Sequence, residues 1–475
     1  MEQDIATWAE ATWGECELGN AQRTKRAVAI GRRMAARPGA GLPEQMGSKA
    51  MLKGAYRLLN CPTVESEGLW HPHHKATRRA AGQGKTVLFI QDWTTLDYSH
   101  HPTKSGIGPV GSRRQRGMLL HSVLAYAFEE KQILGLAYGQ VIVRDEAETD
   151  EKNKKKHNGG RRSEGIEGRV WEQAAEAIGP APRNSRWIHV SDRESDVFEY
   201  MAACQSLGKD FVIRAFHNRK VHESGDDEAS EASAQEQRYL MALARKLVAQ
   251  TEQTYGVEVS ATVKKGIQQP NRLAQIRLAW TPIHLPAPSY VKGHPGLEVW
   301  LVRAWEPEPP AGAEVVEWIL ITSLAVNDWD AARYVTQIYE CRWLVEGYHM
   351  CLKTGCRIEA SQLDHGDDLK RLLGFTTLIA VRLLQLRHVV RTAPETLVTT
   401  VPTVDRLLVR LVAAEFQLAE SRLTVKRFWT LVAQLGGYLG RKSDGPPGWR
   451  TLWKGWRHLS DWAEGVRLLA PDKSG

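Results

Sequence analysis

The segment from Tyr339 to Lys353, YECRWLVEGYHMCLK, constrains this chain more than any other. Wound as a helix at about 100° per residue, it points Tyr339, Arg342, Glu346, His349 and Lys353 within roughly 80° of one another. The other directions carry mainly Trp343, Leu344, Val345, Tyr348, Met350, Cys351 and Leu352. A solvated surface helix shows a broad polar side and a narrower apolar stripe. Here the proportions are reversed, which predicts a largely buried helix with one thin polar line. The cations of that line suit phosphate, and its carboxylate suits a divalent ion. The competing reading is a surface stripe tied by i,i+4 ion pairs.

A chain of 475 residues is too long for one core and should divide into two to four domains. The sequence has no run of eighteen apolar residues, and its start, MEQDIATWAEATWGECELGN, has acids where a signal peptide needs a basic, then apolar, stretch. A soluble, cytoplasmic protein without membrane partners is the expectation. Six cysteines (Cys16, Cys61, Cys204, Cys341, Cys351 and Cys356) form no CxxC pair and read as reduced thiols. His71, His73 and His74 lack the cysteine spacing of a zinc site.

Charge is unevenly spread. Between Asn20 and Asn60 nine basic residues face one acid, Glu44, so this window alone equals the net +8 of the whole chain. A basic helical module of this kind suits a phosphate backbone; a solvated basic face is its alternative. Seventeen tryptophans offer stacking surfaces for bases, although indoles more often fill cores.

The order of elements points to a mixed α/β sheet with helices on its faces. AQRTKRAVAIGRRMAA reads as a helix, RPGAGLP as a break, and GSKAMLKGAYRLL as a second helix capped by Ser48. KTVLFIQD reads as a buried strand ending at Asp92, followed by a hairpin turning near Glu129–Lys131. After the charged loop EKNKKKHNGGRR come a helix near Ser163–Ala177, a strand RWIHVSD ending at Asp192, a helix near Glu194–Ser206 and a strand ending at Arg214. Alternating segments between about 215 and 316 predict an antiparallel β insertion, and the chain beyond Asp367 reads as helical.

An acid after an apolar strand is often only a turn former or a cap. Neighbouring parallel strands, however, bring their C-terminal ends to one edge, where open α/β sheets bind ligands. Asp92 and Asp192 there, with Glu346 as a third carboxylate, would make an all-oxygen site for Mg²⁺ or Mn²⁺. Two such ions roughly 4 Å apart suit phosphodiester displacement. Tyr339, Arg342 and Lys353 would then hold phosphates.

On these residues the chain resembles the DDE transposases of bacterial insertion sequences, in the IS-four group and its Tn-five-type members. The group's Y-x2-R-x3-E-x6-K signature is met by Tyr339, Arg342, Glu346 and Lys353, and its D-R-E-x-D segment by Asp192, Arg193, Glu194 and Asp196. GSKAMLKGAYRLL, RGMLLHSVL and GWRTLWKGW extend the likeness over nearly the whole chain. The resemblance implies a helical DNA-binding domain (1–70), a ribonuclease-H-like core (71–367) with the β insertion, and a helical dimerisation domain (368–475). It implies two Mg²⁺ or Mn²⁺ ions on Asp92, Asp192 and Glu346, and a homodimer on two double-stranded DNA ends. The chemistry implied is nicking, DNA hairpin formation, hairpin opening and transfer of 3′ hydroxyls into target DNA.

By the same resemblance Trp318, 21 residues before Tyr339, would stack on a flipped base, with Trp343 near the same nucleotide. Arg214, 22 residues after Asp192, would contact a phosphate. On pattern alone Trp318 reads as core, His349 as structural or supporting, and Arg193 and Glu194 as helix-opening residues with at most a supporting role. Phe216 stands where the relatives carry a lysine, and the tail helix around Trp449, Trp453 and Trp456 is more basic than theirs. Alternatives are a metal-dependent nuclease on the same fold and a non-catalytic DNA-binding derivative.

Overall fold

The computed structural model describes residues 5–111, 115–144, 166–223, 238–259, 262–264, 267–269, 271–310, 312–401, 404–441 and 447–469. The charged run 151–162 and most of the acidic run 223–237 lie outside these residues.

The N-terminal helices begin where capping side chains put them. The Asn20 side chain accepts from the Arg23 N–H to open helix Ala21–Ala36, and the Ser48 hydroxyl accepts from the Met51 N–H to open helix Lys49–Leu59. Such caps satisfy donors that the first turn leaves orphaned. The break between them holds a short helix, Leu42–Met46, closed by Gly47 at a left-handed φ of 71°. Helices Ile5–Trp13 and Ser66–Ala81 complete the module. It is seated on the rest of the protein by two buried indoles. Trp13 donates to the Gly374 carbonyl, and Trp70 donates to the Leu373 carbonyl and the Thr377 hydroxyl.

The sheet grows from strand β1 (Thr86–Asp97), followed by β2 (Gly108–Pro109), β3 (Arg116–Ala127), β4 (Gln132–Ile142), β5 (Arg186–Ser191) and β6 (Asp210–Arg214). β3 and β4 form the expected hairpin, with Lys131 at φ 50° in its turn. β1 is antiparallel to β3 and parallel to β5, and β5 is parallel to β6. One expectation is corrected: β1 does not end at Asp92. Its parallel partner β5 stops at Ser191, opposite Gln91, but antiparallel β3 continues beside it from Ser122 to Gly117 and carries β1 on to Asp97.

The insertion holds β7 (Lys220–Glu223), β8 (Arg238–Tyr239), β9 (Tyr255–Val259), β10 (Thr262–Lys264), β11 (Ile267–Gln269), β12 (Arg272–Leu285), β13 (Leu297–Trp305) and β14 (Glu317–Thr322). It is not a separate layer. The order β2-β3-β1-β5-β6-β14-β13-β12-β7-β8 makes most of it an antiparallel continuation of the core sheet, joined where β14 pairs with β6.

Helix Ile166–Ile178 packs over this sheet close to its expected place. The helix expected from Glu194 starts later, as a 3-10 turn at Arg193–Ser195 and then helix Phe198–Ser206. The reason is Asp196. It is buried and accepts from the Phe216 and His217 N–H groups rather than opening a helix.

Beyond the sheet the described residues are helical. Helix Gly366–Thr392 is long and apolar enough to cross a membrane by length and composition, yet 72% of its apolar window is buried inside the protein. Helices Arg406–Glu415, Val425–Leu435 and Trp449–Leu469 pack behind it. Trp456 stacks on Trp429 at 5.2 Å, and a Cβ on Gly455 would fall 1.6 Å from the Val432 carbonyl oxygen. Only glycine permits that crossing. All six cysteines are free.

Candidate active site

Asp92 and Asp192 stand side by side because their strands do. Gln91 lies opposite Ser191, so the next residue of each neighbouring parallel strand is an aspartate. The expected gathering at one sheet edge is thus achieved by register. The Trp93 N–H donates to Asp92 Oδ1 at 2.8 Å, which fixes one oxygen and leaves Oδ2 facing the site.

The third carboxylate arrives on a broken helix. Helix Trp329–Glu340, capped by the Asp328 side chain, ends in a tight turn at Cys341–Arg342. Helix Trp343–Met350 follows, and a π turn, Cys351–Gly355, follows that. Glu346 projects from the first turn of the middle segment. This segment lies close against helix Gly366–Thr392, since a Cβ on Gly347 would meet Leu384 and Arg387 at 3.2 Å.

One guanidinium joins all three acids. Arg342 Nη2 donates to Glu346 Oε1 at 2.8 Å, while Nη1 lies 3.9 Å from Asp92 Oδ2 and 3.9 Å from Asp192 Oδ2. The two aspartate oxygens share one neighbour and so lie no farther apart than twice 3.9 Å. Tyr339 donates its hydroxyl to Asp192 Oδ1 at 3.1 Å, and Arg214 Nη1 lies 3.9 Å from the same oxygen. Arg214 is itself steered by donating to the Glu317 carbonyl on β14.

Burial pushes the Asp92 carboxyl up to about 7; the Trp93 N–H and Arg342 oppose this, and Asp192 and Glu346 add to it. Burial also works against the Arg342 charge, but Tyr339, Asp192 and Glu346 outweigh it and hold the guanidinium firmly protonated. Tyr339 is raised above the usual phenol range by burial and by Asp192.

Comparison with known families agrees with this geometry along the chain. Residues 5–64 match the family described as Transposase DNA-binding, 167–382 the Transposase DDE domain, and 378–473 the Transposase Tn5 dimerisation domain. The chain belongs to the Tn5-like DDE transposases. This transposase is therefore an enzyme of DNA cleavage and strand transfer with a ribonuclease-H-like core, and it binds DNA and forms dimers. Its chemistry is divalent-metal-dependent.

Its donor set fits such an ion. Three converging carboxylates offer only oxygen, the preference of hard divalent cations. A cation would also offset the burial that chiefly lifts Asp92 and the repulsion from Asp192 and Glu346 that adds to it. Among the described residues, however, no three acids, histidines or cysteines are drawn tightly enough to grip an ion as they stand. Arg342 lies between them.

The rest of the polar line departs from expectation. His349 is buried, and burial, with Lys353 and His121 adding, pushes its pKa down to about 3. Of the two readings open for it, structural or supporting, burial favours the structural one. Lys353 pairs at 3.4 Å with Glu359, whose carboxylate also accepts from the Asp97 N–H, so it sits beside the far end of β1. The predicted 80° line is broken by the turn before Trp343 and the π turn after Met350.

Trp343, expected among the buried positions, is 57% exposed, with the Arg342 guanidinium 4.5 Å from its ring centre. Trp318 is 8% exposed and meets the Tyr339 ring edge-on at 5.5 Å. Arg193 and Glu194 are exposed in the turn after Asp192. His73 Nε2 accepts from the Leu136 N–H, and His74 lies buried beside it.

Sequence reasoning missed a buried polar layer directly behind the aspartates. Gln91 bonds to the Tyr200 hydroxyl and lies 3.1 Å from His189 Nδ1. Ser195 donates within reach of Ser191 Oγ at 2.5 Å and the Asp192 carbonyl at 2.7 Å. These residues are fully buried and tie β1, β5 and the Asp192 turn together. The available signal was a glutamine and a histidine interrupting two apolar strands. Asp196 was also undervalued: with its bonds to the Phe216 and His217 N–H groups and its ion pair to Arg219, it locks the loop that follows Arg214.

Proposed function

We propose that this transposase excises and inserts a mobile DNA element with Asp92, Asp192 and Glu346 holding two Mg²⁺ or Mn²⁺ ions. The observation that carries this reading is the gathering of three carboxylates from three separate elements around one guanidinium. When bound, the ions supply activation of an attacking hydroxyl and charge stabilisation at the leaving oxygen. Asp92 is the fixed member, seated inside a continuous strand and held by the Trp93 N–H. Asp192 sits at a strand end braced by Tyr339, and Glu346 approaches from the helix.

Arg342, Arg214, Tyr339 and Lys353 contact DNA phosphates. Arginine forks suit phosphate oxygens in two parallel hydrogen bonds. In this reading the cut ends pass through a DNA hairpin that is reopened before the 3′ hydroxyls join target DNA. Trp318 and Trp343 take the base flipped out by the hairpin, which costs a few kcal/mol to unstack. Support comes from their places against Tyr339 and Arg342. The basic helices of 1–70 bind the element's terminal repeats, and 368–475 pairs two subunits across two ends. The protein works in the cytoplasm on nucleoid DNA.

The test is a joining assay with pre-cut ends and a plasmid target. Transfer of the 3′ hydroxyl strand into plasmid by the wild type, and its loss in Asp92→Asn, Asp192→Asn and Glu346→Gln, is the expected result. Cleavage without joining would refute the proposal.

A further inference from the structure

We propose that Arg342 stands in for the divalent cation while no DNA is bound and yields the carboxylates when a DNA phosphate draws it away. Metal and DNA would then load together, through one side chain. The inference rests on the reading of Asp92, Asp192 and Glu346 as the metal ligands.

Four observations carry it. Arg342 is 4% exposed and stands 2.8 Å from Glu346 and 3.9 Å from one oxygen of each aspartate, the place where a cation would share those oxygens. A guanidinium and a divalent ion cannot both be that close without strong repulsion in a partly buried site. Second, this arginine is not fully satisfied: its Nε is buried without a hydrogen-bond partner among the described residues. A buried donor left unpaired carries a desolvation cost, so the resting position is not the only good one.

Third, an exit is built beside it. The guanidinium carbon lies 4.5 Å from the centre of the Trp343 ring and 5.9 Å from that of Tyr339. Since Trp343 is 57% exposed, the guanidinium can slide along an indole face toward solvent while keeping a favourable cation–π contact. Fourth, other partners remain on Asp192 when Arg342 leaves. Tyr339 donates to its Oδ1 at 3.1 Å and Arg214 lies 3.9 Å from that atom, which keeps the side chain aimed with Oδ2 open.

A phosphate diester offers Arg342 two oxygens in the geometry its fork prefers. Each phosphate captured removes a positive charge from among the carboxylates. Linkage then requires the converse: metal on the carboxylates favours the arginine position that grips DNA. A free protein that holds its cation poorly is also spared indiscriminate hydrolysis.

The test measures Mn²⁺ binding, from the free-ion electron paramagnetic resonance signal, to the full chain with and without a duplex of the element's own end. Without DNA, Arg342→Gln should bind Mn²⁺ at least about fivefold more tightly than the wild type, and Arg342→Lys by a smaller factor. Adding DNA should tighten wild-type binding at least about fivefold and the Gln variant less than about twofold. A merely structural arginine would give weaker metal binding on removal, the opposite sign. Unchanged or weaker DNA-free affinity in a Gln variant that still melts cooperatively would overturn the proposal, as would equal wild-type affinity with and without DNA. Should the Gln variant not fold, the Lys variant decides: DNA-free affinity equal to wild type overturns it. In Arg342→Gln/Glu346→Gln the gain should vanish; its survival would place the ion elsewhere and sink the ligand assignment itself.

Discussion

The two halves of the Tyr339–Lys353 segment carry the same polar spacing and meet opposite fates. Tyr339, Arg342 and Glu346 converge on Asp92 and Asp192. His349 is buried, while Lys353 turns to Glu359. Periodicity sets the phase of side chains along a helix; it does not say where the helix stops being regular or what stands before each turn. The π turn displaces Lys353, whereas His349 shares the regular helix of Glu346 and is buried by what packs against it.

The sharpest way to break this comparison is Glu346→Gln, which keeps shape and removes the charge. Nicking and joining should fall by at least about a thousandfold, with DNA binding within a few-fold in a mobility-shift assay. Retained nicking would remove Glu346 from the site. Trp318→Ala comes next. One lost base stack is worth about 1–3 kcal/mol, so hairpin closure should slow by roughly 5- to 150-fold while first-strand nicking stays near wild type. Equal slowing of both steps in a gel time course would refute base capture.

In the second half the effects shrink. Lys353→Ala should weaken joining by about two- to fivefold, the scale of one partly exposed ionic contact. A loss as large as that of Glu346→Gln would return Lys353 to the reacting centre. His349→Leu should leave nicking within about twofold.

The same substitution should alter acid stability. His349 is held neutral with its pKa down to about 3, against an ordinary value of 6.5. Unfolding therefore takes up a proton below pH 6.5. The stability this residue adds is complete above that pH and lost as pH falls toward 3, at about 1.4 kcal/mol per pH unit. Urea melts between pH 6 and 4 should show a shallower decline in His349→Leu, by about that amount. An unchanged slope would mean the ring is already protonated in the fold.

Much of this molecule was legible. Apolar runs marked β1, the β3–β4 hairpin, β5 and β6, and side-chain caps marked the N-terminal helices, because these signals are local. The ending of β1 was misread because WTTLD lacks apolar texture; its partner β3 holds it extended. The joining of the insertion to the core sheet through β14 and β6 was invisible, since register between distant strands leaves no local mark. At the site, Asp192 followed from a strand end and Glu346 from helix spacing, while Asp92 meets Asp192 through register although its strand runs on to Asp97. The buried Gln91–Tyr200 layer did not, because a glutamine's partner is decided only by packing.

Helix Gly366–Thr392 has a consequence of a mechanical kind. Twenty-seven residues at about 1.5 Å each make a rod of about 40 Å. The DDE match ends and the dimerisation match begins inside it, and the segment bearing Glu346 leans on it at Gly347. It runs as one continuous helix from the first match into the second. A tilt of this rod at its dimerisation end would therefore be felt by the segment that bears Glu346.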